Sequence, residues 1–289
     1  MKLRSGILAA LILSLAASAA HAQQRIQDVI YLKSGGCAYT MDVFKPAKPN
    51  GAGVIWMVSG GWFSKHEDIN LLLANAFTNA GFTLFQVVHG SQPKYQIPEI
   101  LVQIKRAVRF VHAKAADYGV DPNRLGISGG SAGGHLSLMM AGTGDDGLAN
   151  AKDDIDRASS RLKAVGVFFP PTDFENFGGT GSMPYTAPQM QVFLPAFGVT
   201  KDTPIEKLKA LSHALSPIYT INPKFPPALL IHGDKDMLVP IQQSKIFDEA
   251  LAKAGIDHQF VTIPGGGHDA TTVIRGISKL IAWYTEKLK

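Results

Sequence analysis

Short, nearly unbroken apolar runs alternate along this chain with longer stretches whose apolar residues return every three or four positions. Val54–Val58 (VIWMV) contains no polar residue, the pattern of a parallel strand covered on both faces. Similar runs follow at Phe82–Val88, Leu125–Ser128, Val165–Phe169, Ala228–His232 and Gln259–Ile263. Ahead of them, Gln27–Leu32 and Tyr39–Phe44 flank Ser34-Gly35-Gly36, a hairpin signal. Eight strands are therefore expected. Between them, Ile100, Ile104, Val108 and Val111 mark one face of a helix that should stop near Gly119. Further helices are expected at His135–Ala141, at Ile241–Ala254 before Gly255, and at Thr271–Lys289, with Ile274, Ile277, Ile281 and Tyr284 as its stripe.

Strands alternating with helices imply right-handed crossovers. The expected fold is α/β: a mainly parallel eight-stranded sheet with helices on both faces and the antiparallel hairpin at one edge. No repeat, low-complexity tract or linker divides residues 23–289, which are expected to form one catalytic-sized domain. The rhythm breaks between Pro170 and Pro217, where Pro, Gly and aromatics (Phe174, Phe177, Tyr185, Phe193, Phe197) show little periodicity. An irregular insertion of that length, about 170–217, is expected to act as a cap or lid.

Composition narrows the class. With 289 residues, 46% hydrophobic and 18% charged, the chain can build a sizeable core and is not a disordered polymer. Residues 1–22 read as a secretory signal: Lys2 and Arg4, an apolar run from Ile7 to Ala17, then Ala20-His21-Ala22 as a cleavage site. That run is too short to span a bilayer. The leader holds two bases and no acid, so its removal lowers the net charge from +5 to +3, too little to imply nucleic-acid or membrane-surface binding. The expectation is export to the periplasm or medium after cleavage near Ala22. Cys37 is the single cysteine, which excludes an intrachain disulfide and a cysteine-based metal site.

The chemistry centres on Gly129-Gly130-Ser131-Ala132-Gly133, a G-x-S-x-G pattern entered from an apolar strand and left by a helix. A nucleophile on so sharp a turn needs small neighbours, and Gly129, Ala132 and Gly133 supply them. A serine hydroxyl requires a base held by an acid. Asp234 and Asp236 follow the strand ending at His232, and His268 follows Pro264-Gly265-Gly266-Gly267 after the last strand. Acyl transfer also needs oxyanion donors. The Ala132 amide is one candidate, and the turn Ser59-Gly60-Gly61-Trp62 after the third strand offers Gly61 and Trp62. His135 reads as a buried, hydrogen-bonded helix residue, Met139 and Met140 as core, and Lys152–Arg157 as a solvated charged face rather than a metal site.

At these residues the chain resembles the α/β-hydrolase superfamily, more narrowly small secreted esterases and prolyl-oligopeptidase-like hydrolases. The resemblance rests on Gly129–Gly134 with His135-Leu136, on His232–Pro240 with Ser244 beyond, and on Gly60-Gly61-Trp62. It implies a catalytic triad in the chain order Ser131, Asp236, His268. Asp236 is chosen over Asp234 because relatives with H-G-D-x-D-x-x-V-P place the acid there. Ser59 stands where relatives often have His. The stretch before Val54 is too short for the propeller of true prolyl oligopeptidases, which favours a small ester as substrate. Ester hydrolysis through an acyl-enzyme, without metal or organic cofactor, is thus the expected function. A peptidase or amidase is the alternative, and a non-catalytic binding module is a third reading. Acyl specificity and oligomeric state are left open.

Overall fold

The computed structural model describes residues 23–289. The expected leader and its cleavage site lie outside the described residues. Eight strands form one sheet: β1 (Gln24–Ser34), β2 (Cys37–Lys45), β3 (Gly53–Val58), β4 (Thr83–Val88), β5 (Leu125–Gly130), β6 (Ala164–Phe168), β7 (Ala228–Gly233) and β8 (His258–Ile263). Their order is β1-β2-β4-β3-β5-β6-β7-β8. The β1–β2 hairpin lies at one edge and β2 runs antiparallel to β4, while every pairing from β4 to β8 is parallel. Each expected strand is present, mostly with shifted ends. The sixth differs in a way that matters below: β6 stops at Phe168, and Phe169 leaves the sheet at φ +36°.

The α-helices are α1 (Leu71–Asn79), α2 (Ile97–Lys114), α3 (Ala132–Thr143), α4 (Asp154–Arg157), α5 (Ile205–Leu215), α6 (Gln242–Lys253) and α7 (Ala270–Lys287). Two cores explain why the strands read as unbroken apolar runs. Val54 faces one core with Leu73 and Phe77 of α1 and Leu280, Trp283 and Tyr284 of α7. Ile55 and Met57 face the other with Ile104 and Val108 of α2, Leu136 of α3 and Phe247 and Leu251 of α6. Successive side chains of a strand point to opposite faces, so a strand covered on both sides needs apolar residues at every position. All four residues of the α2 stripe are buried, and a short 3₁₀ turn carries that helix to Gly119 in the left-handed region.

One expectation is corrected. Within residues 170–217 the chain forms 3₁₀ turns at Pro184–Thr186 and Pro188–Phe197 and then the regular helix α5, whose Leu208, Leu211 and Leu215 recur at helical spacing and pack on the core. The charged run 152–157 is largely exposed, as expected, with only Ile155 buried, and it is anchored by ion pairs. Arg106 of α2 holds Asp153 at 2.5 Å and Asp156 at 2.7 Å, which ties the short α4 to the scaffold. No described helix is long and apolar enough to cross a membrane.

Candidate active site

Strand β5 delivers Ser131 to the C-terminal edge of the sheet at φ +54°, ψ −122°, a strained conformation for a residue with a Cβ. The turn is tight enough that a Cβ on Gly129 would lie 2.5 Å from the carbonyl carbon of Gly133, so only glycine fits there. The Ser131 amide donates to the Phe168 carbonyl at 2.9 Å, and its carbonyl accepts from His135 at 2.9 Å. Ala132 is the first residue of α3, at the positive end of its dipole.

The loops after β7 and β8 bring the other two residues to this serine. His268 Nε2 lies 2.8 Å from Ser131 Oγ, and His268 Nδ1 lies 2.7 Å from Asp236 Oδ2. Asp236 has a side chain with no solvent exposure. Its Oδ1 accepts the Leu238 and Val239 amides, both at 2.9 Å. Burial opposes its charge, but hydrogen bonds from His232 and His268, with the Val239 amide, outweigh that and hold the carboxyl well below its ordinary range. With a fixed carboxylate on Nδ1, the imidazole presents Nε2 as an acceptor to the hydroxyl. Asp234 does something else: its Oδ1 accepts the Gly265 amide at 2.7 Å, and the neighbouring Lys235 amide donates to Gly266. It therefore links the acid-bearing loop to the histidine-bearing loop.

Sequence reasoning assigned no part to His232. It is fully buried, with Nδ1 2.7 Å from Ser244 Oγ and Nε2 3.0 Å from the Val239 carbonyl and 3.3 Å from Asp236 Oδ2. Ser244 thus meets one ring nitrogen, and the Val239 carbonyl and the Asp236 carboxylate share the other. His232 thereby supports Asp236 from below. The signal was its place in the H-G-D-x-D run, with Ser244 in the first turn of α6.

The proposed oxyanion turn has two consecutive residues in the left-handed region, Gly61 at φ +56° and Trp62 at φ +61°, closed by a Gly60–Phe63 bridge. Gly61 is required twice over, since a Cβ there would also lie 2.2 Å from Phe193 Cε1. Among the hydrogen bonds of the described residues, none uses the Gly61, Trp62 or Ala132 amide as donor. Ser59 makes no anchoring contact; its Oγ is buried without a partner among the described residues. Ser64 and Gln92, which the sequence did not single out, hold the turn instead. Ser64 Oγ donates to the Val58 carbonyl at 2.5 Å, and Gln92 Nε2 donates to the Gly61 carbonyl at 2.7 Å.

His135 joins three parts of the site. Its Nδ1 accepts from Trp62 Nε1 at 3.2 Å, and its Nε2 donates to the Leu215 carbonyl at 2.7 Å, so α3, the oxyanion turn and the end of α5 share one buried ring. Phe174, Phe193 and Phe197 of the 170–217 segment pack around the same Trp62. Burial pushes the His135 imidazole down to about 4 and the His89 imidazole, also fully enclosed, down to about 4. Both rings stay neutral in the folded chain, whereas the unfolded chain takes up protons below about 6.5. Stability is therefore expected to fall as pH drops from about 6.5 to about 4, by at most about 3 kcal/mol per ring. The Asp236 contribution is lost as pH falls through the ordinary carboxylate range and on below it. Melting temperatures at pH 7, 5.5 and 4.5 check this, and a flat series would refute it.

Residues of metal-ligating type converge elsewhere, at Asp28, Asp42 and His66 on the β1–β2 hairpin and the loop beyond β3. Arg25 occupies Asp42 Oδ2 at 2.6 Å, which satisfies the buried carboxylate without a cation.

Comparison with known proteins agrees with this architecture. A solved carbohydrate esterase from gut microbiota, in truncated form, superposes with a TM-score of 0.77 over 94% of this chain and 98% of that one, at 24% identity. The fold is that of the α/β-hydrolases. Esterase LipQ of Mycobacterium tuberculosis is 29% identical over 213 residues, 73% of this chain and 48% of LipQ. LipM of the same organism, a probable carboxylic ester hydrolase, is 30% identical over 203 residues, 69% of this chain and 45% of LipM. The chain thus spans about half the length of these curated relatives. The BD-FAE family matches residues 41–251, a span that runs from β2 through the nucleophile turn and the acid loop into α6, and the chain belongs to that family.

Proposed function

We propose that this chain is a serine hydrolase of small carboxylic esters working through an acyl-enzyme. The relay Asp236–His268–Ser131, at 2.7 and 2.8 Å, carries the reading. His268 Nε2 takes the hydroxyl proton as Ser131 Oγ attacks the acyl carbon. Asp236 keeps the Nδ1–H tautomer and stabilises the imidazolium that forms. The amides of Ala132 and of the Gly61–Trp62 turn receive the oxyanion, and their lack of protein acceptors leaves them available for that charge. The alcohol leaves with the proton held by His268. Water, deprotonated by the same ring, then cleaves the acyl-enzyme and regenerates Ser131. The esterase relatives support a carboxylic ester as substrate. A panel of p-nitrophenyl esters and aminoacyl anilides tests this: turnover of the esters is expected. Turnover of anilides alone would replace it with the amidase reading, and turnover of neither would leave the binding-module reading.

We also propose that residues 1–22 direct export and that the mature protein begins at Gln23. N-terminal mass spectrometry of exported material is expected to show Gln23, and an intact Met1 there would rule the leader out.

A further inference from the structure

The mechanism above leaves one aromatic ring beside the base without a part. Strand β6 lies between the nucleophile strand β5 and the acid strand β7, so His268, on the loop after β8, must reach across the end of β6 to meet Ser131. Phe169 occupies that end. Its φ of +36° is a strained value for a bulky residue, and such strain persists only where the surroundings impose it. Both neighbours do so here. The Phe169 amide donates to the Ile231 carbonyl of β7 at 2.8 Å, and the carbonyl just before it accepts the Ser131 amide at 2.9 Å.

The resulting turn buries the Phe169 side chain to 5% exposure, with its centroid 4.4 Å from that of the His268 imidazole and the planes 49° apart. On the nucleophile side the ring is admitted by Gly130, where a Cβ would come within 3.3 Å of Phe169 Cε2. The two hydrogen bonds of His268 hold its nitrogens within the ring plane and leave the ring free to tilt about the line joining them. The Phe169 ring, packed at that distance and angle, restricts that freedom. The same surface lies within cation–π range of the imidazolium formed when the base takes the serine proton.

We propose that Phe169 is a positioning residue for the general base, holding the His268 ring in the tilt at which Nδ1 meets Asp236 and Nε2 meets Ser131 together. This rests on the triad reading above. The strained backbone is the conformation that delivers the ring. Its loss acts on the chemical step, because the ring touches the base.

The test compares Phe169→Leu, which keeps apolar bulk without a ring, with Phe169→Tyr, which keeps the ring. Phe169→Met replaces the leucine variant if that one does not fold. Values of kcat and KM for a p-nitrophenyl ester are measured well below each melting temperature and normalised to the active sites titrated by a serine-directed phosphonate. The aliphatic variant is expected to lose about 10- to 100-fold in kcat with KM within about twofold, and tyrosine to restore kcat to within about threefold of wild type. An aliphatic variant within twofold of wild-type kcat overturns the proposal. So does a tyrosine variant as slow as the aliphatic one, since packing rather than the ring face would then be at issue. Failure of the triad reading shows separately, as phosphonate labelling that persists in Ser131→Ala.

Discussion

Ser131→Ala is expected to abolish ester turnover, with a loss in kcat of about 10⁶, while the melting temperature stays near that of the wild type. The substitution deletes one oxygen whose protein partner is His268 Nε2. The strained φ of +54° is as unfavourable for alanine as for serine, so the elbow gains no reason to relax. The backbone bonds that hold the turn, from the Ser131 amide to Phe168 and from His135 to the Ser131 carbonyl, are untouched. What remains is binding and the oxyanion donors, which in a serine protease leave a residual about 10³–10⁴ over water. A serine-directed phosphonate should label the wild type and not the variant. Persistent labelling would show that another nucleophile does the work.

Of the two carboxylates after β7, Asp236→Asn is expected to cost about 10⁴ in kcat, the size known from a well-studied triad where the amide favours the wrong imidazole tautomer. The environment of Asp236 makes this the more damaging change. Its side chain is wholly enclosed, and it accepts from two backbone amides, His268 and His232. An amide there places a donor where the structure supplies only donors. Asp234→Asn removes a charge at an exposed position but keeps an oxygen that can accept the Gly265 amide. A fall of about 2 °C in melting temperature and a much smaller loss of rate are expected, since one weakened hydrogen bond contributes about 1 kcal/mol. A larger catalytic loss at 234 than at 236 would reverse the assignment.

The parallel strands and the nucleophile elbow were legible because their causes are local. An apolar residue at every position of VIWMV means cover on both faces, and small residues around Ser131 mean a sharp turn, whatever the rest of the chain does. Helix α2 was legible for the same reason, its stripe returning at the helical period. Helix α5 was not singled out, although Leu208, Leu211 and Leu215 return at the helical period: the stripe is short, only Leu215 of the three is fully buried, and a Pro- and Gly-rich stretch precedes it. The segment 170–217 looked shapeless in sequence because its aromatics pack on Trp62 and on one another rather than along one periodic face.

For the site, residue types and chain order were readable in advance, but the contacts were not. Asp236 and His268 meet because β7 and β8 are neighbours, and His268 meets Ser131 across 137 positions of chain because the strand order places β6 alone between β5 and β7. The same order makes Phe169 a wall of the base and lets Asp234, two residues from the acid, bond the backbone of the loop whose histidine Asp236 holds. Gln92 and His135 gain their parts only through partners 31 and 73 positions away, and His232 and Ser64 only because a loop folds back on the strand before it. Burial pattern and turn chemistry are properties of a few consecutive residues, so they survive in a one-dimensional reading. A hydrogen bond between loops depends on where the sheet carries each loop, to within a few tenths of an ångström, and that exists only once the chain has folded.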